Sequence, residues 1–310
     1  MKKLVLIPLS VLAVIAATLL LNSATLDNGT VASNCNYTYE NGNTTPHQSY
    51  LPQLPSELYF CGEELPMDRD DVRESIDREI MTNTFWHNNT MLMYKRIGRY
   101  FPIIEPILKQ YNVPNDIKYL CVAESSLSPT IKSPAGAVGL WQFIESTGKE
   151  MGLEINDEVD ERYNIERSTH AACKFLLHAY EKLGSWQLVA ASYNGGMTRV
   201  LKNMQNQRQN KYYDILWSEE TSRYVYRIIA LKLILENPQQ YGFNLTDADR
   251  YKPYEVDTCY VDSIIDDWVD FCEAKDITYK QLKTLNPWLR QTYLHPKQGK
   301  PYKVLLPKKN

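Results

Sequence analysis

The sequence predicts a mainly α-helical domain followed by a small domain of mixed strands and helices. Between residues 68 and 240, apolar residues recur with helical spacing in segments separated by turns that contain Gly or Pro. Beyond Pro253 the pattern changes to a strand, two short helices and a second strand. With 310 residues, the chain is long enough for about two domains and an ample core.

Residues 1–24 have the pattern of an export signal. Two lysines precede an apolar run over residues 4–21, and small polar residues follow it. The run is long for a signal peptide and short for a membrane span, and Pro8 interrupts it. Cleavage near Ala24 or Ala32 is favoured over retention as a membrane anchor. Either outcome predicts that the rest of the chain is exported, to the periplasm or cell envelope.

Residues 25–67 are predicted to form a polar tether. They are rich in Asn, Thr, Ser, Tyr and Pro and show no sustained helical or strand period. Helical patterning begins after them, and the predicted helical domain spans residues 68–240. Its first part, up to Tyr111, predicts two or three helices, with Pro102 and Pro106 punctuating the later one.

Residues 117–142 carry the candidate catalytic group, Glu124. Ile117, Leu120 and Cys121 precede it with spacings that place all four side chains on one helix face. Burial and the C-terminal end of a helix both disfavour an ionised carboxylate, so both raise its pKa, which suits a general acid. The alternative is that Glu124 is a solvated residue at the end of its helix.

The neighbouring elements follow from local signals. Asn115 or Asp116 is available to cap the helix of Glu124. A stretch rich in Ser, Pro and Gly follows that helix and predicts a turn-rich segment over a cleft. A short helix is then predicted from Trp141 to Met151, where Gly ends it.

Three further helices complete the predicted helical domain. Ser168 is predicted to cap a long helix over residues 168–180. The next covers residues 186–193, and Asn194 with the two following glycines ends it. An amphipathic helix is predicted for residues 219–236.

Four short motifs occur along this domain in a fixed order. They are A-E-S-S-L with Glu124, G-A-V-G-L-W-Q-F with Gln142, A-S-Y-N-G-G with Tyr193 and Asn194, and E-E-T-S-R-Y-V with Tyr224. The set resembles the catalytic domain of the soluble-lytic-transglycosylase-like family, and within it the membrane-bound lytic murein transglycosylase D group. The resemblance implies a lysozyme-like helical fold and peptidoglycan glycan strands as the binding partner.

The resemblance also implies a reaction. Lytic transglycosylases cleave the β-1,4 bond between N-acetylmuramic acid and N-acetylglucosamine without water as the nucleophile, and they leave a 1,6-anhydro end. Glu124 would act first as the acid and then as the base. Most glycoside hydrolases need two carboxylates, and we find one well-placed acid here, although Glu145 and Glu150 on the next helix stay open as candidates.

The same resemblance implies roles for the residues around Glu124. Ser125 is expected to orient the carboxyl or contact the N-acetyl group, with a local backbone-bonding role as the alternative. Gln142 and Asn194 are expected to bind sugar, and Tyr193 and Tyr224 to line the cleft. The hydroxyl of Tyr224 is also expected to hydrogen-bond near the catalytic Glu. Helix capping by Asn194 and core packing by Tyr224 are the alternatives.

Residues 252–308 resemble a LysM module, a small peptidoglycan-binding fold. The predicted order is a strand over residues 254–261, helices over 264–274 and 279–285, and a strand over 302–306. The glycine-rich opening and the Asp-Thr-Leu run that are usual in this module are absent.

Composition excludes several classes of function. The formal net charge is −3 and the basic residues are dispersed, so no nucleic-acid partner is expected. The five histidines form no metal-ligand pattern, and no phosphate-binding glycine loop occurs, so neither a metal nor another cofactor is expected.

Six cysteines in an exported chain raise the question of disulfides. Cys121 and Cys173 occupy apolar helix positions and predict buried thiols. Two pairings stay open, Cys35 with Cys61 and Cys259 with Cys272.

Three functional hypotheses follow from these observations. The first is a lytic transglycosylase, and the second is a hydrolase like a goose-type lysozyme, which would need a positioned water. The third is a non-catalytic scaffold that binds the cell wall.

Overall fold

The computed structural model of this protein describes residues 51–297 and 299–308. The predicted signal or anchor and most of the predicted tether lie outside these residues. Among the helices that are described, none is long and apolar enough to cross a lipid bilayer.

A short hairpin lies inside the segment predicted to be a tether. Its strands, Tyr59–Phe60 (β1) and Glu63–Glu64 (β2), pair antiparallel. Four apolar side chains of this segment are buried in the main core: Leu58, Phe60, Leu65 and Met67. The prediction of a tether up to residue 67 is therefore too long. Isolated apolar residues between prolines give no periodic signal, so the sequence does not indicate their burial.

Helices form the domain that follows. Their bounds are α1 Asp70–Phe85, α2 His87–Gln110, α3 Lys118–Ser125, α4 Glu145–Glu150, α5 Ile165–Leu183, α6 Trp186–Gly195, α7 Met197–Gln207 and α8 Glu219–Glu236. Short 3-10 turns lie at Asn115–Ile117, Glu161–Tyr163, Tyr212–Asp214, Pro238–Tyr241 and Asp247–Asp249. Helix α8 has the predicted bounds and packs against α1, α3 and α6. It therefore lies at the centre of the helical core, where Val225, Ile228 and Ile229 are buried.

Two helix starts differ from the prediction. Asn164 caps α5, because its side chain accepts a hydrogen bond from Arg167 N at 3.0 Å. Ser168 is buried one turn later and donates to Asn164 O at 2.6 Å. Helix α3 has no side-chain cap. The carboxylate of Asp116 instead accepts a hydrogen bond from Lys232 Nζ at 2.7 Å. A tertiary ion pair therefore replaces the expected helix cap.

One helix is longer than the sequence indicates, and another was missed. Helix α2 continues through Pro102 and Pro106, although each proline removes one backbone donor. The buried residues Phe101 and Ile104 anchor that part of α2 in the core. Helix α7 was not predicted, although Met197, Val200, Leu201 and Met204 have the spacing of an amphipathic helix and Val200 is buried.

The C-terminal domain has the predicted order of strand, helix, helix and strand. Its elements are β3 Val256–Val261, α9 Trp268–Lys275, α10 Tyr279–Leu285 and β4 Tyr302–Pro307. Strands β3 and β4 pair antiparallel along their whole length. Asp267 and Thr278 cap the two helices. Trp268, Leu282 and Val304 are fully buried and form the centre of this domain's own core.

The cysteines follow the prediction in part. Both residues predicted to be core thiols are buried: Cys121 and Cys173. Cys259 and Cys272 are free thiols, so a disulfide between them is the wrong alternative. The sequence places both in one domain but does not specify the separation of their sulfurs. Cys61 is likewise a free thiol, and Cys35, its other possible partner, lies outside the described residues.

Candidate active site

Glu124 lies in the last turn of α3 and is half-buried. The hydroxyl of Tyr224, on α8, donates a hydrogen bond to Glu124 Oε1. Tyr224 itself is buried, and the packing of α3 against α8 brings the two side chains together. The apolar stripe of α3 therefore does direct the carboxyl toward the core.

Desolvation raises the pKa of Glu124 to about 7. The hydrogen bond from Tyr224 and the charge of Arg227 act in the opposite direction, and the charge of Glu220 adds to the rise. Desolvation outweighs the two opposing contributions. Near neutral pH the carboxyl is thus populated in both protonation states, so the same group can donate a proton and later accept one.

The raised pKa predicts a pH dependence of stability. The ordinary pKa of the group is 4.5, so between pH 4.5 and about 7 the folded state binds more protons than the unfolded state. The free energy of unfolding therefore falls as pH rises through this window. Glu124→Gln is expected to lack that contribution, and its stability relative to the wild type should increase from pH 5 to pH 8 in urea unfolding. An equal difference at both pH values would contradict the desolvation of this carboxyl.

The chain turns sharply after Glu124. Ser126 and Leu127 both have left-handed backbone conformations, with φ of 49° and 54°. The buried hydroxyl of Ser125 donates to Cys121 O at 3.0 Å and accepts from Leu127 N at 3.1 Å. These contacts match the backbone-bonding role that was one alternative for Ser125. Its contact with an N-acetyl group stays a prediction.

Tyr193 joins α6 to the loop that carries Gln142. Its hydroxyl donates a hydrogen bond to Trp141 O at 2.6 Å, and its ring packs edge-on against Phe175. Burial raises the pKa of Tyr193, and the charge of Glu124 adds to the rise. Tyr193 is therefore a neutral hydroxyl beside the Glu124 carboxyl.

The loop before α4, residues 131–143, orients Gln142. Gln142 has a left-handed backbone, with φ of 49°, and its Nε2 donates to Gly139 O at 2.8 Å. Val138 forms antiparallel bridges with Lys132 and with Phe143, so the loop folds back on itself. The amide of Gln142 is thus held by its own loop.

Asn194 is positioned by the start of α8. Its Nδ2 donates to Glu220 Oε1 at 3.3 Å, and Thr221 Oγ1 donates to Asn194 Oδ1 at 3.2 Å. A Cβ added at Gly195 would lie 3.0 Å from Thr221 Oγ1, so glycine permits this close approach. Helix α6 ends at Gly195, the residue after it, Gly196, has φ of 85°, and Asn194 lies inside the helix. Its side chain therefore bonds to α8 rather than capping α6.

Three residues of the site were missed by sequence reasoning: Glu220, Thr221 and Arg227. Glu220 and Thr221 are part of the quoted motif around Tyr224, so that motif contained the signal. Arg227 follows Tyr224 by three residues, a spacing that puts both on one helix face.

The two other carboxylates that were considered are exposed on α4. Glu145 Oε1 lies 2.6 Å from Lys149 Nζ, and this hydrogen bond lowers the pKa of Glu145. Glu145 and Glu150 are both exposed, so neither carboxylate is desolvated as Glu124 is.

Residues 101–216 match the family of transglycosylase SLT domains. The chain carries an SLT domain. Residues 257–310 match the soluble lytic transglycosylase C-terminal LysM-like domain. The predicted transglycosylase and LysM-like domains are confirmed over these residues, and so is the order of a mainly helical domain followed by a small α+β domain. Glu124 and Gln142 lie inside the SLT match, whereas Tyr224 lies beyond it on α8.

The chain is also similar in sequence to proteins that are named as transglycosylases. The chain is 29% identical over 259 residues to membrane-bound lytic murein transglycosylase D of Escherichia coli K12, covering 81% of this chain and 55% of the relative. It thus spans about half the length of that relative. It is also 36% identical over 108 residues to the peptidoglycan transglycosylase gp16 of Escherichia phage T7, covering 34% of this chain and 8% of the phage protein.

Two solved structures are also similar. The 70 kDa soluble lytic transglycosylase SLT70 of Escherichia coli has a TM-score of 0.37 and 19% identity, covering 50% of this chain and 27% of that one. An inactive mutant of the lytic transglycosylase Slt of Pseudomonas aeruginosa has a TM-score of 0.39 and 17% identity, covering 50% of this chain and 26% of that one.

Proposed function

We propose that this protein is a lytic transglycosylase that cleaves the β-1,4 bond between N-acetylmuramic acid and N-acetylglucosamine in peptidoglycan and forms 1,6-anhydro-muramoyl ends. The observation that carries the proposal is the half-buried Glu124, with a pKa of about 7 and a hydrogen bond from Tyr224. The SLT domain and the names of the relatives support the substrate class.

In the proposed reaction, protonated Glu124 donates its proton to the glycosidic oxygen as the bond to the muramoyl C1 breaks. The oxygen of the substrate's own N-acetyl group supports the cationic C1. The Glu124 carboxylate, stabilised by the hydroxyl of Tyr224, then removes the proton of the C6 hydroxyl, and O6 bonds to C1. The carboxyl regains its proton in this step, so one residue completes the cycle without a second carboxylate.

The surrounding residues bind and orient the sugar in this proposal. Gln142 and Asn194 offer amide groups, and both are held in place by bonds to the protein itself. Tyr193 lines the cleft beside Glu124, and Ser125 maintains the turn that ends α3. The LysM-like domain contributes affinity for peptidoglycan. A substrate in the cell wall fits the predicted export to the periplasm or cell envelope.

One observation favours a hydrolase as the second candidate. Glu220 is an exposed carboxylate that contacts Asn194 and whose charge acts on Glu124. In a goose-type-lysozyme-like mechanism, such a group would activate a water molecule.

Mass spectrometry of the muropeptides that the purified protein releases from peptidoglycan tests the proposal. Anhydro-ended products support transglycosylation. Reducing-end products would establish the hydrolase instead. Binding to sacculi without any product would leave the scaffold hypothesis.

Glu220→Gln separates the first two candidates by rate as well as by product. We expect it to keep anhydro products and to retain the wild-type rate within about tenfold, because Glu220 acts on Glu124 only through its charge. Glu219→Gln is the matched control, since Glu219 is an exposed neighbour on the first turn of α8. A loss of turnover of about a hundredfold or more in Glu220→Gln alone would assign Glu220 a role as a base.

A further inference from the structure

The C-terminal domain is joined to the helical domain through backbone pairing. Val159 forms an antiparallel bridge with Leu289. Two backbone hydrogen bonds flank this bridge. Asp160 N donates to Trp288 O at 2.9 Å, and Arg290 N donates to Glu158 O at 2.8 Å. A segment of the helical domain thus pairs like a strand with the C-terminal domain.

The two domains also share a core. Three residues from the helical domain are buried in the same apolar cluster as Trp288 and Leu289: Val138, Val159 and Tyr163. Val138 belongs to the loop that carries Gln142. One side chain of the active-site loop is therefore a core residue of the other domain.

Arg162 extends this connection to the rest of the loop. Its guanidinium forms a nearly buried ion pair with Asp160, with Nη2 and Oδ2 2.7 Å apart. It also donates to Gly136 O at 3.3 Å and to Phe143 O at 3.2 Å. Since Asp160 N bonds to Trp288 O, a connected set of hydrogen bonds runs from the C-terminal domain through Arg162 to two carbonyls of the loop.

Charged groups reinforce the same interface. The nearly buried Glu154 carboxylate accepts hydrogen bonds from Lys300 Nζ at 2.5 Å and from the Tyr302 hydroxyl at 3.0 Å, and Lys297 Nζ lies 2.9 Å away. Burial acts to raise the pKa of Glu154, but these three partners outweigh it and lower the pKa to about 2. The carboxylate therefore stays ionised, and the attachment persists over the pH range in which Glu124 titrates.

We propose that the LysM-like domain is a positioning element of the active site, which holds the loop of Gln142 through Val138 and the Asp160–Arg162 pair. The expected effect on turnover rests on the proposed function, whereas the expected effect on hydrogen exchange does not. It makes the C-terminal domain part of the catalytic unit, in addition to any contact of its own with glycan.

The test is amide hydrogen exchange on the full-length protein, combined with the kinetics of muropeptide release. Trp288→Ala should raise exchange at least about tenfold in residues 131–143, while amides of α8 keep their protection. In turnover, KM should rise several-fold, whereas the pH at which kcat declines, set by Glu124, should not move. Trp288→Phe should restore both quantities toward wild type.

Two further variants keep the test decisive. Tyr260→Ala is the control, since this aromatic residue of the same domain is 67% exposed, and it should leave exchange in residues 131–143 unchanged. If Trp288→Ala unfolds the chain, Glu154→Gln decides, because it weakens the interface without removing a core side chain. It should raise exchange in the same loop about threefold or more.

Unchanged loop exchange in Glu154→Gln, or faster exchange confined to the C-terminal domain in Trp288→Ala, would overturn the inference. The failure of the proposed function is distinguishable from this result. A wild type without turnover would refute the transglycosylase, whereas the exchange data would still decide whether the C-terminal domain holds the loop.

Discussion

Glu124→Gln is expected to reduce peptidoglycan turnover by about 10⁴-fold or more, because the amide can neither donate a proton nor remove one. The substitution conserves volume, and Tyr224 can still donate a hydrogen bond to the amide oxygen. Folding and glycan binding should therefore survive. The rate of soluble muropeptide release from purified sacculi measures the loss, and sacculus pull-down measures the binding.

Glu145→Gln is the matched control for this experiment. Glu145 is exposed and pairs with Lys149 at the surface, and surface ion pairs of this kind contribute little to stability. Wild-type turnover is expected for it. Turnover by Glu124→Gln at a rate near that of the control would remove Glu124 from the mechanism.

Gly139→Ala is expected to lower the free energy of unfolding by about 3 kcal/mol or more. The residue has φ of 76°, and a Cβ built there would lie 2.1 Å from Arg162 O. Because the obstacle is backbone, no side-chain rotation can relieve the contact. The loop must move away from Arg162, so turnover should fall together with stability as Gln142 is displaced. Urea unfolding and muropeptide release measure the two effects.

Gly136→Ala isolates the steric part of this prediction. Gly136 lies in the same loop with φ of 81°, but no atom lies within 4 Å of a Cβ built there. The expected loss is about 1–2 kcal/mol, from the left-handed backbone alone. Equal losses in the two variants would show that the contact with Arg162 does not constrain the loop.

Local periodicity explains what could be predicted. Helix α8 has the predicted bounds because its apolar residues repeat with helical spacing over all 18 residues of the helix. The spacing of Ile117, Leu120 and Cys121 likewise fixes the direction of Glu124 relative to the core. The four ordered motifs indicated the family, and the family match confirms that indication.

Features that depend on distant partners were predicted less well. Asp116 looked like a helix cap, but its partner Lys232 is more than a hundred residues away in the chain. Helix capping, the alternative for Asn194, is a local role, yet its amide bonds to Glu220 and Thr221 on α8. In each case a side chain that could satisfy a local hydrogen bond found a tertiary partner instead.

The sequence by itself determined the helical class of the first domain, the strand and helix order of the second, and the inward direction of Glu124. All three follow from the spacing of apolar residues, which is a local property of the chain. Only the tertiary structure decided that desolvation outweighs the hydrogen bond from Tyr224 and brings the pKa of Glu124 to about 7, that Asn194 bonds to Glu220 and Thr221, and that Val138 is buried in the C-terminal domain. Desolvation and long-range contacts depend on which surfaces pack together, and hydrophobic spacing along the chain does not specify that pairing.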